Sequence, residues 1–444
     1  MPLTAIDIFK QLPNENCGEC GVPTCLAFAM KLAQKQASLD ECPRVTDEAR
    51  AALDGAAAPP MATVKIGVGE RVLEIGGETV LFRHEERFHH PCGIAIEVQS
   101  DLPEADLRAR AEAIGKIEYD RVGMMLGVNL VAVRDAGGGT FAAAAKVAAE
   151  ASGLPLVLMS DDPGAMREAL GAVGAGKPLI YAATAAHVSD MAALAKEQSC
   201  PLAIRAESLD ELASLSEQAA KAGVTQLVLD SGARAPGKVI QDQTAIRRAA
   251  LRKKFRPFGF PTITFPQGDT PQAKALQACT YVAKYGGIVT MDATDPFAVL
   301  PIITERLNIY TDPQKPPQVK PGLYEVGEAK PDSPVLVTTN FSLTYYLVEG
   351  DVSASKVPAW IVVVDTDGTS VLTAWAGDKL TGETIAKAIK DSGVEEKVSH
   401  KKIVLPGGVA VLSGKVNEAS GWEVLVGPRE SSGIPSFFRQ QSFA

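Results

Sequence analysis

The sequence predicts a multidomain α/β protein with a small cysteine-held N-terminal module, a central (β/α)8 TIM barrel and a C-terminal Rossmann-like domain. Three observations lead there. Four cysteines sit close together at the head of the chain, apolar strand-like runs then alternate with helical segments, and a shorter strand–helix series follows a proline-rich stretch. Shifts in composition place the cysteine module at 1–58, the barrel with an N-terminal hairpin layer at 63–311, a linker at 312–334 and the last domain at 335–444.

The cysteines are spaced Cys17-x2-Cys20-x4-Cys25-x16-Cys42, with Gly18 and Gly21 beside the ligands and Pro43 directly after the last. Three clustered thiolates and a fourth from a returning segment suit a [4Fe–4S] cubane, one cysteine per iron. The glycines let the backbone fold tightly and aim N–H groups at the sulfides. Structural zinc also accepts four thiolates, but more often through two short C-x2-C knuckles. The flanking segments TAIDIFKQLP and LAFAMKLAQKQASL have helical spacing, and the metal is expected to supply much of so small a module's stability. The stretch DGAAAPPMA, residues 54–62, reads as a linker.

A chain of 444 residues with 46% hydrophobic content can bury several cores, and its net charge of −9 without a long basic run argues against nucleic-acid binding. The N-terminus lacks the pattern of a signal peptide and no apolar run reaches bilayer length, so a cytoplasmic protein without a membrane partner is expected. Cys92, Cys200 and Cys279 stand apart and read as buried structural thiols.

Alternating strands are expected at VKIGVG, RVLEIGG and ETVLFRH, then barrel strands starting near 93, 130, 155, 178, 201, 226, 261 and 287, each followed by a helical segment. An open doubly wound sheet is the structural alternative. The strand ends would carry Gln99, Asp135, Asp161, Asp162, Thr184, Arg205, Glu207, Asp230, Gln267, Asp292 and Asp295 to one face. Without paired histidines or a strand-end lysine, a scaffold role is favoured over catalysis, and no catalytic residue is assigned.

In the last domain PVLVTTN is a strand, SLTYYLVEGDV a helix, WIVVVDTDGTSVLTAW a hairpin around Asp367-Gly368, TGETIAKAIKDSGV a helix, and KKIVLPGG and WEVLVGP strands. Its polar, glycine-rich strand ends are where open α/β sheets take ligands. The candidates are Asn340, Ser342 and Tyr346 after the first strand, Ser370, Val371, Leu372 and Thr373 on the hairpin's second arm, and Gly377, Gly407 and Gly408 in neighbouring loops.

With these residues in view, the whole chain resembles the family of corrinoid/iron–sulfur protein large subunits of the anaerobic acetyl-CoA (Wood–Ljungdahl) pathway, to which the archaeal gamma subunits of the acetyl-CoA decarbonylase/synthase complex are similar. The resemblance lies in CGECGVPTCLAFAMKLA with its returning Cys42, the eight-unit middle, and VTTNFSLTYY, LPGGVAVLSGKV and VLVGPRESSGIP. It implies a [4Fe–4S] cluster on the four cysteines, a corrinoid of cobalamin type on the C-terminal domain, and a heterodimer with a smaller barrel subunit. It also implies a methyl carrier between methyltetrahydrofolate, through a methyltransferase, and CO dehydrogenase/acetyl-CoA synthase, with the cluster reductively reactivating cobalt. The chain would thus be a carrier subunit of a methyltransferase system. No Asp-x-His-x-x-Gly motif occurs and His400 precedes a strand, so a base-off corrinoid is expected. The alternatives are an iron–sulfur electron-transfer protein with a nucleotide- or flavin-binding C-terminal domain, against which the missing G-x-G-x-x-G counts, and a radical enzyme, whose three-cysteine cluster differs from the four ligands here.

Overall fold

The computed structural model describes residues 5–33, 37–46, 49, 59–121 and 123–441. They form two compact units: Met1–Leu81, His89–Lys116 and Asn129–Ile302 in the first, Phe82–Phe88, Ile117–Val128 and Ile303–Ala444 in the second. Residues 54–58 of the expected first linker lie outside the described residues. No helix among those described is long and apolar enough to cross a membrane.

In the first unit, β1 (Thr63–Ile66) pairs antiparallel with β2 (Leu73–Gly76). The third expected strand of this layer, around ETVLFRH, is irregular. Gly76 allows the turn-out: its φ is +84°, and a Cβ there would meet the Ala62 carbonyl oxygen at 2.2 Å. Eight parallel strands follow: β3 (Gly93–Gln99), β6 (Leu130–Arg134), β7 (Leu156–Met159), β8 (Leu179–Ala183), β9 (Leu202–Arg205), β10 (Leu227–Asp230), β11 (Ile263–Thr264) and β12 (Ile288–Met291). Their order closes through a parallel bridge between Leu229 and Thr262, giving the expected barrel rather than the open alternative. The strands read as continuous apolar runs because both faces are covered, by side chains within and helices outside. Val64, Ile66, Leu73 and Ile75 from the hairpin share one buried cluster with barrel-interior residues such as Leu130, Val157 and Val228.

The second unit holds an antiparallel hairpin that sequence periodicity did not announce, β4 (Glu118–Arg121) with β5 (Met124–Gly127). Its turn glycine, Gly123, lies so close under Tyr346 that a Cβ would fall 1.5 Å from the phenol oxygen. The larger sheet comprises β13 (Gly322–Val326), β14 (Val335–Thr339), β15 (Ala359–Val364), β16 (Lys402–Leu405) and β17 (Glu423–Val426), ordered β13-β15-β14-β16-β17. All pairs are parallel except edge strand β13, which runs antiparallel to β15. Segment 312–334, expected as a linker, therefore contributes a strand; its prolines masked the short alternating run GLYEV. The expected hairpin at 360–375 is likewise corrected: β15 ends at Val364 and the chain enters a helix at Val371–Ala376. A short apolar run such as VLTAW does not distinguish strand from helix by periodicity.

Both sheet faces are covered. Val335, Val337, Val362 and Leu405 pack with Ile385, Ile389 and Val416 on one side, while Leu336, Ile361, Val363 and Val404 pack with Tyr345, Val352 and Phe438 on the other. The alternation follows from the two-residue period of the strands.

One buried ion pair locks the hairpin end of the barrel. Glu78 and Arg247, 6% and 2% exposed, meet at 2.8 Å, and the guanidinium also lies 4.7 Å over the Tyr285 ring. Removing one partner strands the other charge in low dielectric. Glu78→Ala is accordingly predicted to cost about 3–5 kcal/mol, read by thermal or denaturant unfolding of the barrel. A loss below about 1 kcal/mol, the scale of a surface pair, would show that the pair does not hold this end together.

Candidate functional site

The parallel strands of the larger sheet run β15-β14-β16-β17, so winding reverses direction between β14 and β16. Loops leaving these two strand ends diverge, and a crevice opens beyond them. A cleft of about 790 Å³, counting its open mouth, occupies that position. Its floor is the ends of β14 and β16, and its walls are the helix Ser342–Ser355, the helix Val371–Ala376, and the loops at 406–408 and 427–431. The surface is mainly aliphatic, with Thr338, Thr344 and Ser431 among its residues. Thr338 is 1% exposed and its Oγ1 has no hydrogen-bond partner among the described residues. Such an orphan costs about 1–3 kcal/mol unless something supplies its partner.

The expected contact residues divide into groups. Val371, Leu372 and Gly408 line the cleft, and Gly407 lies beside it against the Gly427 carbonyl. Asn340 is instead saturated. Its Oδ1 accepts from Thr366 N at 2.9 Å, Thr366 Oγ1 at 3.0 Å and Gly368 N at 3.0 Å, and its Nδ2 donates to Asp365 and Gln318. It pins the Asp367-Gly368 turn and so sets where the helix bearing Val371 and Leu372 begins. Ser342 is buried and its N–H donates to the Pro317 carbonyl; Tyr346 packs on Tyr345 and Gly123. Ser370 and Thr373 bond each other, and Gly377 closes the helix. His400 sits at the opposite end of β16, 2.9 Å from the Ser333 carbonyl.

Sequence reasoning missed Thr338, Thr344, Leu347 and Arg429 along the cleft. Thr344, Leu347 and Val348 share one helical face at spacings of three and four, but apolar and polar residues are scattered around the helix SLTYYLVEGDVSAS, so periodicity did not single out that face. The 54% exposure of Leu347 marks it in the folded chain.

In the cysteine module, Cys20, Cys25 and Cys42 belong to one small core with Ile8, Leu12 and Phe28, while Cys17 is exposed. Gly18 and Gly21 adopt φ of +73° and +77°, which a side chain would strain. Two polar ties join the cysteine-bearing segments. Asn16 Oδ1 accepts the Cys25 N–H at 2.8 Å, and Arg44 donates to Glu19 at 2.6 and 3.2 Å and to Glu15 at 2.7 Å. The first links the irregular segment before Cys17 to the helix Cys25–Ala33, and the second draws the segment after Cys42 onto the Cys17–Cys20 loop. Hydrogen bonding to Arg44 holds the Glu19 carboxyl below its usual range. Among the described residues no three Cys, His or carboxylate side chains converge as on a single ion; a cubane, which gives each thiolate its own iron, asks for a wider set.

The barrel's strand ends are occupied by internal pairs. Tyr181 donates to Asp230 at 2.6 Å, Arg234 bonds the same carboxylate at 2.9 and 3.1 Å, Arg134 grips Glu97 at 2.7 and 2.8 Å, and Arg205 meets Asp161 at 3.3 Å. Burial, then the neighbouring Asp230 charge, pushes the Tyr181 hydroxyl well above the usual tyrosine range. Each of these arginines is spent on a carboxylate, which suits a scaffold.

Comparison with known proteins bears on both sites. The family model of the CO dehydrogenase/acetyl-CoA synthase delta subunit matches residues 63–438, and an iron–sulfur cluster model matches residues 12–44. The corrinoid/iron–sulfur protein large subunit of Moorella thermoacetica is 50% identical over 441 residues, covering 99% of both chains. The chain belongs to the corrinoid/iron–sulfur protein large-subunit family. Gamma subunits of the acetyl-CoA decarbonylase/synthase complex from Methanothermobacter thermautotrophicus and Methanopyrus kandleri are each 38% identical, over 98% and 99% of this chain and 98% of theirs. A solved 7,8-dihydropteroate synthase from Vibrio fischeri ES114 aligns with a TM-score of 0.38 at 11% identity, covering 50% of this chain and 95% of that one, a likeness too remote to bear on function.

Within this family member, the Arg44 clamp makes a distinct prediction. Exposed ion pairs contribute about 0–1 kcal/mol, so Arg44→Gln should leave the fold intact while freeing the Cys42 segment from the Cys17–Cys20 loop. Iron is then expected to leave several-fold faster under a chelator, followed by decay of visible absorption, with Arg44→Lys intermediate. Identical release rates in all three proteins would remove the clamp from the account.

Proposed function

We propose that this chain is the methyl-carrying subunit of an acetyl-CoA decarbonylase/synthase-type system, holding a [4Fe–4S] cluster on Cys17, Cys20, Cys25 and Cys42 and a base-off corrinoid in the C-terminal cleft. The observation that carries the reading is the cleft at the winding reversal, aliphatic, open on one side, and bearing the orphaned Thr338 hydroxyl. Its lining suits a bulky ligand with an apolar body and a rim of neutral amides, and the Thr338 hydroxyl, buried just under the floor, gains a partner there if the floor shifts as the ligand seats. Among the described residues no histidine lines it. An open mouth leaves one side of a bound macrocycle reachable by partners. When bound, the corrinoid supplies a cobalt nucleophile that takes up and releases a methyl group, and the cluster supplies the electron that restores it after oxidation. The chain's residues bind and orient: aliphatic walls exclude water, Asn340 fixes the loop behind Leu372, and Gly18 and Gly21 shape the cluster loop.

The relatives' names, a large subunit and a subunit of the acetyl-CoA decarbonylase/synthase complex, support a heterodimer with a smaller subunit and CO dehydrogenase/acetyl-CoA synthase as acceptor, and the donor-side partner in this reading is a methyltetrahydrofolate methyltransferase. A dinucleotide-binding electron carrier fits less well. Among the described residues no carboxylate lines the cleft to meet a ribose.

Two outcomes follow. Thr338→Val removes an unsatisfied hydroxyl at nearly constant shape, so thermal stability should hold or rise slightly while corrinoid affinity falls about tenfold, measured by spectral titration. Unaltered affinity would take the hydroxyl out of the site. Cys20→Ala should lose iron and its visible absorption yet bind corrinoid normally, since the cysteine core and the cleft lie in separate units. Joint loss of iron and cobalt would contradict that separation.

A further inference from the structure

Of the described residues lining the cleft, one is charged. Arg429 projects from the loop between β17 and the turn at Ser431–Gly433, and its side chain is exposed with no hydrogen-bond or ion-pair partner among the described residues. Among the described residues no acidic one shares the lining. Its backbone, by contrast, is tightly fixed. Gly427 N–H donates to the Leu405 carbonyl at 2.9 Å, Gly407 N–H to the Pro428 carbonyl at 3.0 Å, and Gly433 N–H to the Glu430 carbonyl at 3.0 Å. Two glycines permit this closeness: a Cβ on Gly407 would meet the Gly427 carbonyl oxygen at 2.4 Å, and one on Gly433 would meet Pro428 at 2.7 Å. A rigid loop thus presents an unspent guanidinium at the edge of an aliphatic cleft, so less ordering is needed when it engages.

The match for such a surface is a ligand with a large neutral body and one anionic group. A complete corrinoid has that constitution: its ring periphery carries neutral amides, and the nucleotide tail carries a single phosphodiester. We propose that Arg429 recognises this phosphate and makes the cleft selective for corrinoids that retain it. The proposal rests on the corrinoid reading above. A guanidinium is suited to the task because its planar donors meet two phosphate oxygens at once, a geometry that lysine does not reproduce.

Cobinamide and cobinamide phosphate share the ring and differ in the phosphate, so they isolate the effect. Titrated into the full-length chain freed of corrinoid, cobinamide phosphate and aquacobalamin are expected to bind about tenfold tighter than cobinamide. Arg429→Gln should abolish that preference, weakening both phosphate-bearing probes about tenfold while leaving cobinamide unchanged, and Arg429→Lys should restore part of it. Equal binding of all probes by the unaltered chain, an unchanged preference in Arg429→Gln, or equal weakening toward cobinamide would each overturn the phosphate role. Failure of every probe to bind the unaltered chain would instead overturn the corrinoid reading beneath it.

Discussion

A parallel sheet that reverses its direction of winding cannot cover the strand ends where the reversal occurs, because the loops on either side leave in opposite directions. That constraint organises the C-terminal unit. β14 lies between β15 and β16, its end carries Thr338, Thr339 and Asn340, and the cleft opens beside it. Each of those three residues is buried, yet they are treated differently. Asn340 spends its amide on the 365–368 turn, whereas the hydroxyls of Thr338 and Thr339 remain without partners among the described residues. The same strand end therefore builds part of the floor of the cleft and keeps polar capacity in reserve beneath it.

The cysteine module solves a different problem. Its core is too small to fix four thiolates through packing alone, and its loops adopt left-handed conformations at Asn14, Asn16, Gly18 and Gly21. Asn16 and Arg44 tie those loops to the segments bearing Cys25 and Cys42. These ties are worth little as energy. Their effect is positional: they limit how far the returning cysteine can drift from the first two. Binding of metal would supply the remaining order.

Much of this was legible in the sequence where a single physical period dominates. The barrel strands announce themselves because each is buried on both faces, and the glycine-rich ends at 406–408 and 427–433 announce loops that must approach closely. The rest depended on contacts remote in sequence. Val371–Ala376 reads equally as strand or helix until Asn340 captures the preceding turn. The helix Ser342–Ser355 is apolar on several faces, because the sheet, Gly123 and the cleft each claim one, so Ser342 and Tyr346 were singled out where Thr344 and Leu347 line the cleft. Strand β13 was hidden by prolines on either side of it, and the β4–β5 hairpin by a charged sequence with little alternation.

The central claim is that the cleft at the β14–β16 reversal seats the cobalt. Anomalous diffraction recorded at the cobalt and iron absorption edges from crystals of the full-length protein with its cofactors tests it most directly. The account predicts a single cobalt peak over the cleft, beside Leu372 and Gly408, and iron confined to the four N-terminal cysteines. A cobalt peak at the mouth of the barrel, among Arg134, Arg205 and Arg234, would contradict it.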